Sequence, residues 1–331
     1  MRTYSVAFLG FGNVAKALVR LLEARRMELA IRFGAAWRPC GVATRTLGWW
    51  ANADGLAPMS PQISGTRCYD VADWLLTARP DVVFETIALD PHTGQPALDY
   101  LSEVLRSGAH AVSANKGPLV HGYQRLTSIA ESRARLYRFE AAVMDGAPVF
   151  SLARRCIPLA GLRAVRGIFT STATVVLQAV ERGATVEEGI REAQALGIAE
   201  ADPSYDVDGW DSAVKLCAIS SVILGRAIQP ATVERTGLRS LDPRAIRAAR
   251  EAERPFRLVG YVGLDAGNVV AHVAPEQVPL GSPLAVDGTT LVTHYDADVF
   301  PGGLTVTSHA PDLTTTAYGM FTDFLDVIGA T

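Results

Sequence analysis

The chain contains very little lysine. Of the 31 lysine and arginine residues in its 331 positions, only three are lysine: Lys16, Lys116 and Lys215. Either residue can carry surface charge, but only lysine can lose its proton at accessible pH, because the guanidinium of arginine stays charged. Each lysine is therefore a candidate for proton chemistry. Drift in an arginine-rich composition is the alternative explanation.

Four other absences exclude classes of protein. The four cysteines include no CxxC pair, which argues against a disulfide framework or a zinc site and fits a reducing cytoplasm. A net charge of −3 without a basic block removes the electrostatic footprint that a nucleic-acid-binding protein needs. No run approaches the roughly 18 uninterrupted apolar residues of a membrane-spanning helix. Glycines interrupt the apolar N-terminus, which also lacks a signal-peptide cleavage site.

A glycine turn near the N-terminus connects a strand to a helix. In "SVAFLGFGNVAKALVRLL" a short apolar strand at residues 6–9 is followed by Gly10-Phe11-Gly12 and an amphipathic helix. The motif reads G-x-G-x-x-A: Gly10 permits the tight turn, Gly12 lets a pyrophosphate approach the backbone, and Ala15 keeps helix and strand close. This pattern predicts a dinucleotide-binding domain. A glycine turn in some other α/β domain is the alternative.

Strands and helices alternate through the first part of the chain. Apolar strand candidates cover residues 40–45, 81–88, 110–116 and 136–142, and helical patterns separate them. The alternation predicts a Rossmann-type, doubly wound parallel sheet. Thr44, Arg45 and Thr46 stand at the end of the second strand, where NAD-binding proteins carry a carboxylate, so NADP is favoured and NAD stays open. An exposed loop arginine is the alternative explanation for Arg45.

The ends of the strands supply the other candidates for the cofactor site. Because ligands collect at the carboxyl ends of parallel strands, Lys116 is expected beside the nicotinamide. A cation at a helix start is the alternative, although positive charge is disfavoured there. The predicted cofactor-binding residues are Gly10, Gly12, Asn13, Val14, Arg45, Thr86, Asn115 and Lys116.

The segment "EADPSYDVDGWDSAVKLCAISSVILG" at 200–225 surrounds the third lysine with carboxylates. Its helix carries only two charged residues, Asp211 and Lys215, which lie four positions apart on one face of an otherwise apolar helix. Such a helix is expected to be buried, and a buried pair can tune proton transfer. A surface salt bridge is the alternative. Asp208 is the expected helix N-cap, and the carboxylate cluster suits a small substrate that carries an ammonium group.

The sequence resembles the homoserine dehydrogenases over nearly its whole length. The resemblance is carried by "GFGNVAKAL", "SANKGPLV", "FEAAVMDGAPVF" and "EAQALGIAEADPSYDVDGWDSAVKL". It implies interconversion of L-homoserine, or a closely related amino alcohol, and L-aspartate 4-semialdehyde with NAD(P), in threonine and methionine biosynthesis. The catalytic residues that it implies are Lys215, Lys116 and Asp211, and the substrate-binding residues are Glu200, Asp206 and Asp211. A structural sodium ion could be held by Glu140, Val143, Asp145 and Ala147; a strand-end charge is the alternative for Glu140.

Two segments depart from the family pattern. In place of an Asn-x-Thr-Thr-Asn turn the chain reads "GIFTSTATVVL", in which Thr172 is the candidate that could donate a hydroxyl bond to substrate. The family's Gly-x-x-Asn and its glycine-rich loop are replaced by "GTTL" at 288–291 and by "SHAPDLTTTAYG" at 308–319. Two alternatives therefore stay open: a dehydrogenase of another amino or hydroxy acid, and a non-catalytic NAD(P)-binding sensor.

The pattern changes after about residue 135 to a second, mixed α+β domain. Its strand candidates cover residues 161–170, 256–264, 268–275, 290–296 and 304–310. The predicted domains are a dinucleotide-binding domain at 1–135, to which a C-terminal helix within 306–331 returns, and a catalytic domain at 136–305. The resemblance implies that the second sheet forms a homodimer and that this is a short form without the regulatory domain of some members. The expected partner is a small amino-acid substrate, with neither nucleic acid nor a membrane.

Overall fold

The computed structural model of the chain describes residues 1–59, 64–199 and 202–330. Its strands there are β1 (Arg2–Leu9), β2 (Ala35–Thr44), β3 (Gly48–Ala51), β4 (Thr66–Cys68), β5 (Val82–Glu85), β6 (His110–Ser113), β7 (Tyr137–Arg138), β8 (Leu162–Ile168), β9 (Glu234–Arg235), β10 (Phe256–Asp265), β11 (Asn268–Gln277), β12 (Leu291–Ala297) and β13 (Phe300–Ser308).

The α-helices within the same residues are α1 (Asn13–Ala24), α2 (Arg26–Phe33), α3 (Val71–Ala78), α4 (Ala97–Ser107), α5 (Gly117–Ser132), α6 (Ser171–Glu181), α7 (Val186–Ala195), α8 (Ser204–Val207), α9 (Trp210–Ile219), α10 (Pro243–Glu251) and α11 (Leu313–Ala330). Among them none is both long enough and apolar enough to cross a membrane.

Two compact units make up the chain. The first contains Met1–Gly146 and Asp312–Thr331, and the second contains Ala147–Pro311. The sequence analysis predicts both domain boundaries earlier in the chain, at 135/136 and 305/306. The first difference has a physical cause: β7 pairs in parallel with β6, and the backbone N–H of Glu140 donates to Asp323 Oδ2 on α11 at 2.8 Å, so residues 136–146 are tied to the first unit.

The first unit contains a sheet with the strand order β4-β3-β2-β1-β5-β6-β7. Its strands from β2 to β7 in that order pair in parallel, which confirms the doubly wound α/β prediction. The edge differs from a wholly parallel sheet, because β3 turns back antiparallel to β2 and β4 antiparallel to β3. The order of the strands switches at β1, because β2 lies on one side of it and β5 on the other. Such a switch point forms a crevice at the carboxyl ends of β1 and β5.

Aromatic side chains form much of the core beneath this crevice. Phe8 stacks on Phe84 with ring centroids 5.5 Å apart, and Phe324 of α11 meets both Tyr4 and Phe84 edge-on at 5.8 Å. These contacts explain why the last helix of the chain belongs to the first unit. They also hold β1 and β5, the two strands that border the switch point.

The second unit contains a mixed sheet with the order β13-β12-β8-β10-β11-β9. Most neighbours are antiparallel, and the short β9 runs parallel to β11. Helix α9 lies close on β10: a Cβ on Gly260 would stand 3.4 Å from Leu216 Cδ1 and 2.9 Å from the Phe169 ring. This close approach buries the face of α9 that carries its apolar residues.

Candidate active site

The glycine turn after β1 takes the geometry that a dinucleotide site needs. Gly10 has a φ of 83°, and a Cβ there would lie 2.7 Å from the carbonyl carbon of Thr86, so only glycine fits. At Gly12 a Cβ would meet nothing within 4 Å. The turn therefore packs against the end of β5 at one glycine and faces open space at the other, directly before the N-terminus of α1.

A cavity of about 510 Å³ opens at this turn. Its lining comes from the ends of β1, β2 and β5, from β3 and from the start of α4: Leu9, Gly10, Phe11, Gly12, Ala43, Thr44, Arg45, Trp49, Thr86, Ile87, Ala88, Pro96 and Tyr100. Neither an aspartate nor a glutamate is among these described lining residues. The position of the cavity at the β1/β5 switch point is where doubly wound folds bind nucleotides.

The structure distributes the predicted cofactor residues unevenly. Gly10, Gly12, Arg45 and Thr86 line the cavity. Asn13 is exposed at the start of α1, and Val14 is half-buried and packs against the core. The sequence reading missed Trp49 and Tyr100, whose rings meet edge-on at 5.3 Å in the cavity wall. Their signal was weak, because Trp49 lies on the hairpin strand β3, which was not predicted.

Glu85 is a second residue that the sequence reading missed. It ends β5 and is fully buried, and three donors surround its carboxyl group: the Ser113 hydroxyl at 2.5 Å, the Ile87 N–H at 2.8 Å and Asn115 Nδ2 at 3.3 Å. Burial raises the pKa of Glu85 from 4.5 to about 7, and these hydrogen bonds oppose the rise. The signal was available, since Glu85 is the single charged residue inside the apolar run "VVFETIA".

The raised pKa of Glu85 predicts a pH-dependent stability difference between the wild type and Glu85→Gln. Because the pKa in the folded state exceeds the unfolded value, the contribution of Glu85 is fully present below about pH 4.5 and is lost as the pH rises to about 7. Glutamine cannot ionise. Urea unfolding should show the variant gaining about 1–3 kcal/mol relative to the wild type between about pH 5 and about pH 8. Glu103→Gln, at an exposed ion pair, should show no such trend, and a flat difference for Glu85→Gln would contradict the raised pKa.

Lys116 lies where α5 begins and is half-buried. Its carbonyl accepts the N–H groups of Leu119 and Val120 at 3.0 and 3.1 Å, which starts the helix. Asn115, the residue before it, is buried, and its Oδ1 accepts the N–H of Gly117 at 3.0 Å. The backbone on both sides of Lys116 is therefore held by hydrogen bonds at the carboxyl end of β6.

Lys215 lies in the second unit on α9 and is nearly buried. Its Nζ is 2.8 Å from Asp211 Oδ2, and the two side chains are only 12% and 14% exposed. Nζ also donates to the carbonyl oxygen of Phe169, the residue after β8, at 2.5 Å. The ion pair is thus the partly desolvated kind that the apolar helix predicted, rather than a surface salt bridge.

Asp206 belongs to the same group of side chains. It accepts a hydrogen bond from the Thr172 hydroxyl at 2.9 Å, and Thr172 is itself buried. Burial is the main reason that the pKa of Asp206 is raised, and the charge of Asp211 raises it further while Lys215 opposes the rise. Four residues predicted from sequence are therefore coupled here: Thr172, Asp206, Asp211 and Lys215.

One structural prediction about this segment is wrong. The N-cap of α9 is Gly209, with a left-handed φ of 80°, and not Asp208. A Cβ at Gly209 would come within 2.9 Å of Val273 Cγ1, so the chain turns there through a glycine instead of through an aspartate cap. Asp208 instead ends α8 and pairs with Arg239 at 3.4 Å. The predicted substrate residue Glu200 lies outside the described residues.

The residues predicted for sodium follow β7. Glu140 and Val143 are buried, and Asp145 adopts a left-handed φ of 47°. Ala147 opens the second unit. In residues 1–59, 64–199 and 202–330, no group of three or more His, Cys, Asp or Glu side chains is placed to hold a metal ion. Backbone carbonyls would therefore have to supply most of the ligands.

Comparison with known proteins gives a consistent result. The model of the homoserine dehydrogenase family matches residues 148–325. An NAD(+)-dependent homoserine dehydrogenase of Pseudomonas canavaninivorans is 29% identical over 342 residues, which cover 99% of this chain and 97% of that protein. The crystal structure of a putative homoserine dehydrogenase from Archaeoglobus fulgidus superposes with a TM-score of 0.86 at 28% identity over 99% of each chain. A hyperthermophilic archaeal homoserine dehydrogenase mutant in complex with NADPH shares the fold, with a TM-score of 0.82 at 22% identity over 100% of this chain and 99% of that one.

Proposed function

This chain belongs to the homoserine dehydrogenase family, and from that premise we propose that it interconverts L-homoserine and L-aspartate 4-semialdehyde with a nicotinamide dinucleotide. The observation that carries the proposal is the ion pair between Lys215 and Asp211, which is almost excluded from solvent. A charged pair on a buried helix loses hydration energy, and titratable groups held in such an environment are candidates for proton transfer. The rarity of lysine in this chain points the same way.

Oxidation of the alcohol removes a proton from the hydroxyl group and a hydride from the carbinol carbon. The nicotinamide, when bound, supplies the hydride acceptor. In our proposal Lys215 takes the hydroxyl proton, and in the reverse direction its ammonium returns that proton to the aldehyde oxygen. Asp211 stabilises the protonated lysine at 2.8 Å. General acid–base assistance of this kind contributes roughly 10²–10⁴ to the rate.

The carboxylates near Lys215 supply the substrate site in this proposal. Asp211 pairs with Lys215, and Asp206 lies near enough for both charges to act on it. Glu200 is assigned to the substrate ammonium by family resemblance. Thr172 is buried and donates a hydrogen bond to Asp206. In this proposal Thr172 supports substrate binding indirectly, because it orients the Asp206 carboxylate. Lys116, in the first unit, is the second proposed catalytic residue, as a proton donor or an electrostatic clamp.

The residues present fit a dinucleotide. Gly10 and Gly12 form a turn that no side chain blocks, and the α1 N-terminus follows it. We propose NADP as the preferred cofactor, because Arg45 lines the cavity and no described lining residue is acidic. An aspartate or glutamate would be needed to hold the ribose 2′-hydroxyl of NAD, whereas arginine can pair with a 2′-phosphate. NAD stays the alternative, since the relative from Pseudomonas canavaninivorans is named for it.

Arg45→Ala is expected to weaken NADPH binding by about 10- to 100-fold, while NADH binding changes by less than about twofold. The variant would lack the charge-assisted hydrogen bond between the guanidinium and the 2′-phosphate, a group that NADH does not have. Such a hydrogen bond is worth about 1.5–3 kcal/mol. Fluorescence titration with both cofactors measures the two affinities. Arg20→Ala, at an exposed position of α1 outside the cavity lining, is the control. Equal losses for both cofactors in Arg45→Ala would remove the assignment of NADP.

The activity itself is tested by measuring NADP and NAD reduction with L-homoserine, other amino alcohols and hydroxy acids. Turnover with homoserine as the best substrate is the expected result. Turnover that prefers another compound would identify a dehydrogenase with a changed substrate, to which the departures at 170–174 and 309–313 would contribute. Cofactor binding without turnover of any compound would instead support a sensor.

Three further assignments belong to the same proposal. We place a sodium ion on Glu140, Val143, Asp145 and Ala147. This assignment predicts that activity in NaCl exceeds activity in choline chloride at equal ionic strength.

The family resemblance supports a homodimer. Light scattering on the purified protein would test this oligomeric state.

All four cysteines are free thiols, which supports a reducing cytoplasm as the location of the protein. Fractionation of the source cells would test this location.

A further inference from the structure

The carboxyl group of Glu85 connects the ends of two neighbouring strands. The register places Glu85 opposite Leu9 of β1 and opposite Ser113 of β6. Its backbone carbonyl accepts the N–H of Ala114 at 3.1 Å, while its side chain accepts from Ser113 and Asn115. Glu85 thus stands at the switch-point edge of the sheet, and its side chain reaches toward the segment that carries Lys116.

Asn115 transmits this connection to the lysine. Its Nδ2 donates to Glu85 Oε1 at 3.3 Å, and its Oδ1 accepts the N–H of Gly117 at 3.0 Å. The side chain of the residue before Lys116 is therefore bonded to the backbone of the residue after it. The Ser113 hydroxyl donates to Glu85 Oε2 and accepts the backbone N–H of Asn115 at 3.0 Å. Removal of the carboxyl group would therefore loosen two side chains that brace the backbone of Lys116, because the Ser113 hydroxyl would lose its acceptor and Asn115 Nδ2 would keep only the Ile87 carbonyl at 3.5 Å.

The opposite side of the same backbone is held by close packing. A Cβ at Gly117 would lie 2.9 Å from Gly94 Cα and 3.1 Å from the carbonyl oxygen of Asp90. The loop that contains Gly94 therefore closes on the start of α5 without an intervening side chain. Because this contact lies on one side and the hydrogen bonds to Glu85 lie on the other, the backbone of Lys116 has little freedom to shift.

The side chain at this position has to accept several hydrogen bonds. Three donors converge on its two oxygens: a hydroxyl, an amide and a backbone N–H. A carboxylate accepts without donating, whereas the amide of glutamine offers only one acceptor oxygen. Leucine would leave the buried Ser113 hydroxyl without its acceptor, which costs about 1–3 kcal/mol, and Asn115 Nδ2 would keep only the Ile87 carbonyl at 3.5 Å.

We propose that Glu85 is the positioning residue for Lys116, fixing through Asn115 and Ser113 the backbone from which the lysine reaches the reacting atoms. The inference rests on the proposed function, in which Lys116 is catalytic. Glu85 itself touches neither substrate nor the reacting atoms. Its replacement should therefore reduce kcat while the binding of substrate and cofactor is largely kept.

The test compares Glu85→Leu, Glu85→Gln and His110→Leu. His110 is the matched control: it is also buried, it begins β6, the strand that lies beside β5 and precedes Lys116, and its Nδ1 accepts the Leu136 N–H at 3.0 Å. Glu85→Leu should lower kcat by about tenfold with KM and the cofactor Kd within about threefold, because small displacements of a reacting group cost up to about 10²-fold. Glu85→Gln should recover most of the loss, since its amide oxygen still accepts from Ile87 and Asn115.

A second readout does not depend on turnover. The chain has three lysines, so labelling with an amine-reactive reagent followed by peptide mass analysis reports Lys116 against Lys16 and Lys215 in one sample. In Glu85→Leu the labelling rate of Lys116 should rise several-fold while Lys16 stays constant. His110→Leu should change none of the three, although it also removes a buried hydrogen bond.

The outcomes separate the two proposals. If the wild type fails to oxidise homoserine, the proposed function fails, and the labelling of Lys116 still decides the role of Glu85. If the wild type is active but Glu85→Leu keeps its kcat or leaves Lys116 labelling unchanged, the positioning role is overturned and the activity stands. A loss of kcat in His110→Leu equal to that in Glu85→Leu would also overturn it, because general destabilisation would then explain both.

Discussion

Lys215→Arg is expected to lower the turnover of homoserine by about 10²-fold or more while the affinity for the cofactor is nearly unchanged. Arginine keeps the positive charge and so preserves attraction to Asp211, but it cannot release a proton at working pH. The cofactor cavity lies in the other unit and keeps Gly10, Gly12 and Arg45. Steady-state kinetics and fluorescence titration with NADPH measure the two quantities separately.

The chain offers a direct control for this experiment. Lys16 is exposed on α1, and Lys16→Arg should leave both kcat and cofactor affinity as in the wild type. Because a guanidinium is larger than an ammonium group, the melting temperature of Lys215→Arg must be measured as well. Near-wild-type turnover in Lys215→Arg would remove Lys215 from the proton transfer and leave it as the partner in a buried ion pair.

The largest expected loss of stability follows from Arg257→Met. Arg257 is fully buried on β10, and it donates to Glu181 at 2.7 Å and to Asp287 at 2.6 Å. Its Nε also donates to the carbonyl of Val286 at 2.6 Å. Methionine keeps an unbranched apolar stem but leaves the carboxylate of Glu181, only 6% exposed, without its main partner. Breaking one side of a buried pair in this way costs about 3–5 kcal/mol.

Chemical denaturation of Arg257→Met measures this loss, and two variants define its cause. Arg182→Met removes an arginine from an exposed pair with Glu192 and should cost less than about 1 kcal/mol. The double variant Arg257→Met with Glu181→Gln should recover part of the stability, because it no longer leaves a charge buried. A loss in Arg257→Met no larger than that of Arg182→Met would show that Arg250, 3.8 Å from Glu181, is sufficient compensation.

Much of the fold could be predicted from the sequence because it depends on local patterns. The G-x-G-x-x-A turn at Gly10 places a strand before it and a helix after it, and the alternation that follows indicates a doubly wound sheet. The apolar character of residues 210–224 predicts a buried helix. In each case the information lies within about 20 residues of sequence, the range over which periodicity and turn chemistry operate.

Contacts between distant residues explain what the sequence reading missed. Within the described residues, the hairpin strands β3 and β4 are short and pair only with one another and with β2, so their sequence pattern is weak. Asp208 had the chemistry of an N-cap, but the approach of Val273 to Gly209 decided where the helix begins. The N-cap propensity of Asp208 was outweighed there by packing against β11, whose Val273 lies more than 60 residues along the chain.

The sequence by itself determined the family, the doubly wound fold and the three lysines among which the chemistry must be sought. Only the tertiary structure decided which side chains support them. Glu85, Ser113 and Asn115 are separated by up to 30 positions along the chain, yet the pairing of β5 with β6 brings them into one hydrogen-bonded group. The physical reason is that a buried carboxyl group is tolerated only where donors converge on it, and that convergence is a property of strand pairing rather than of any local pattern.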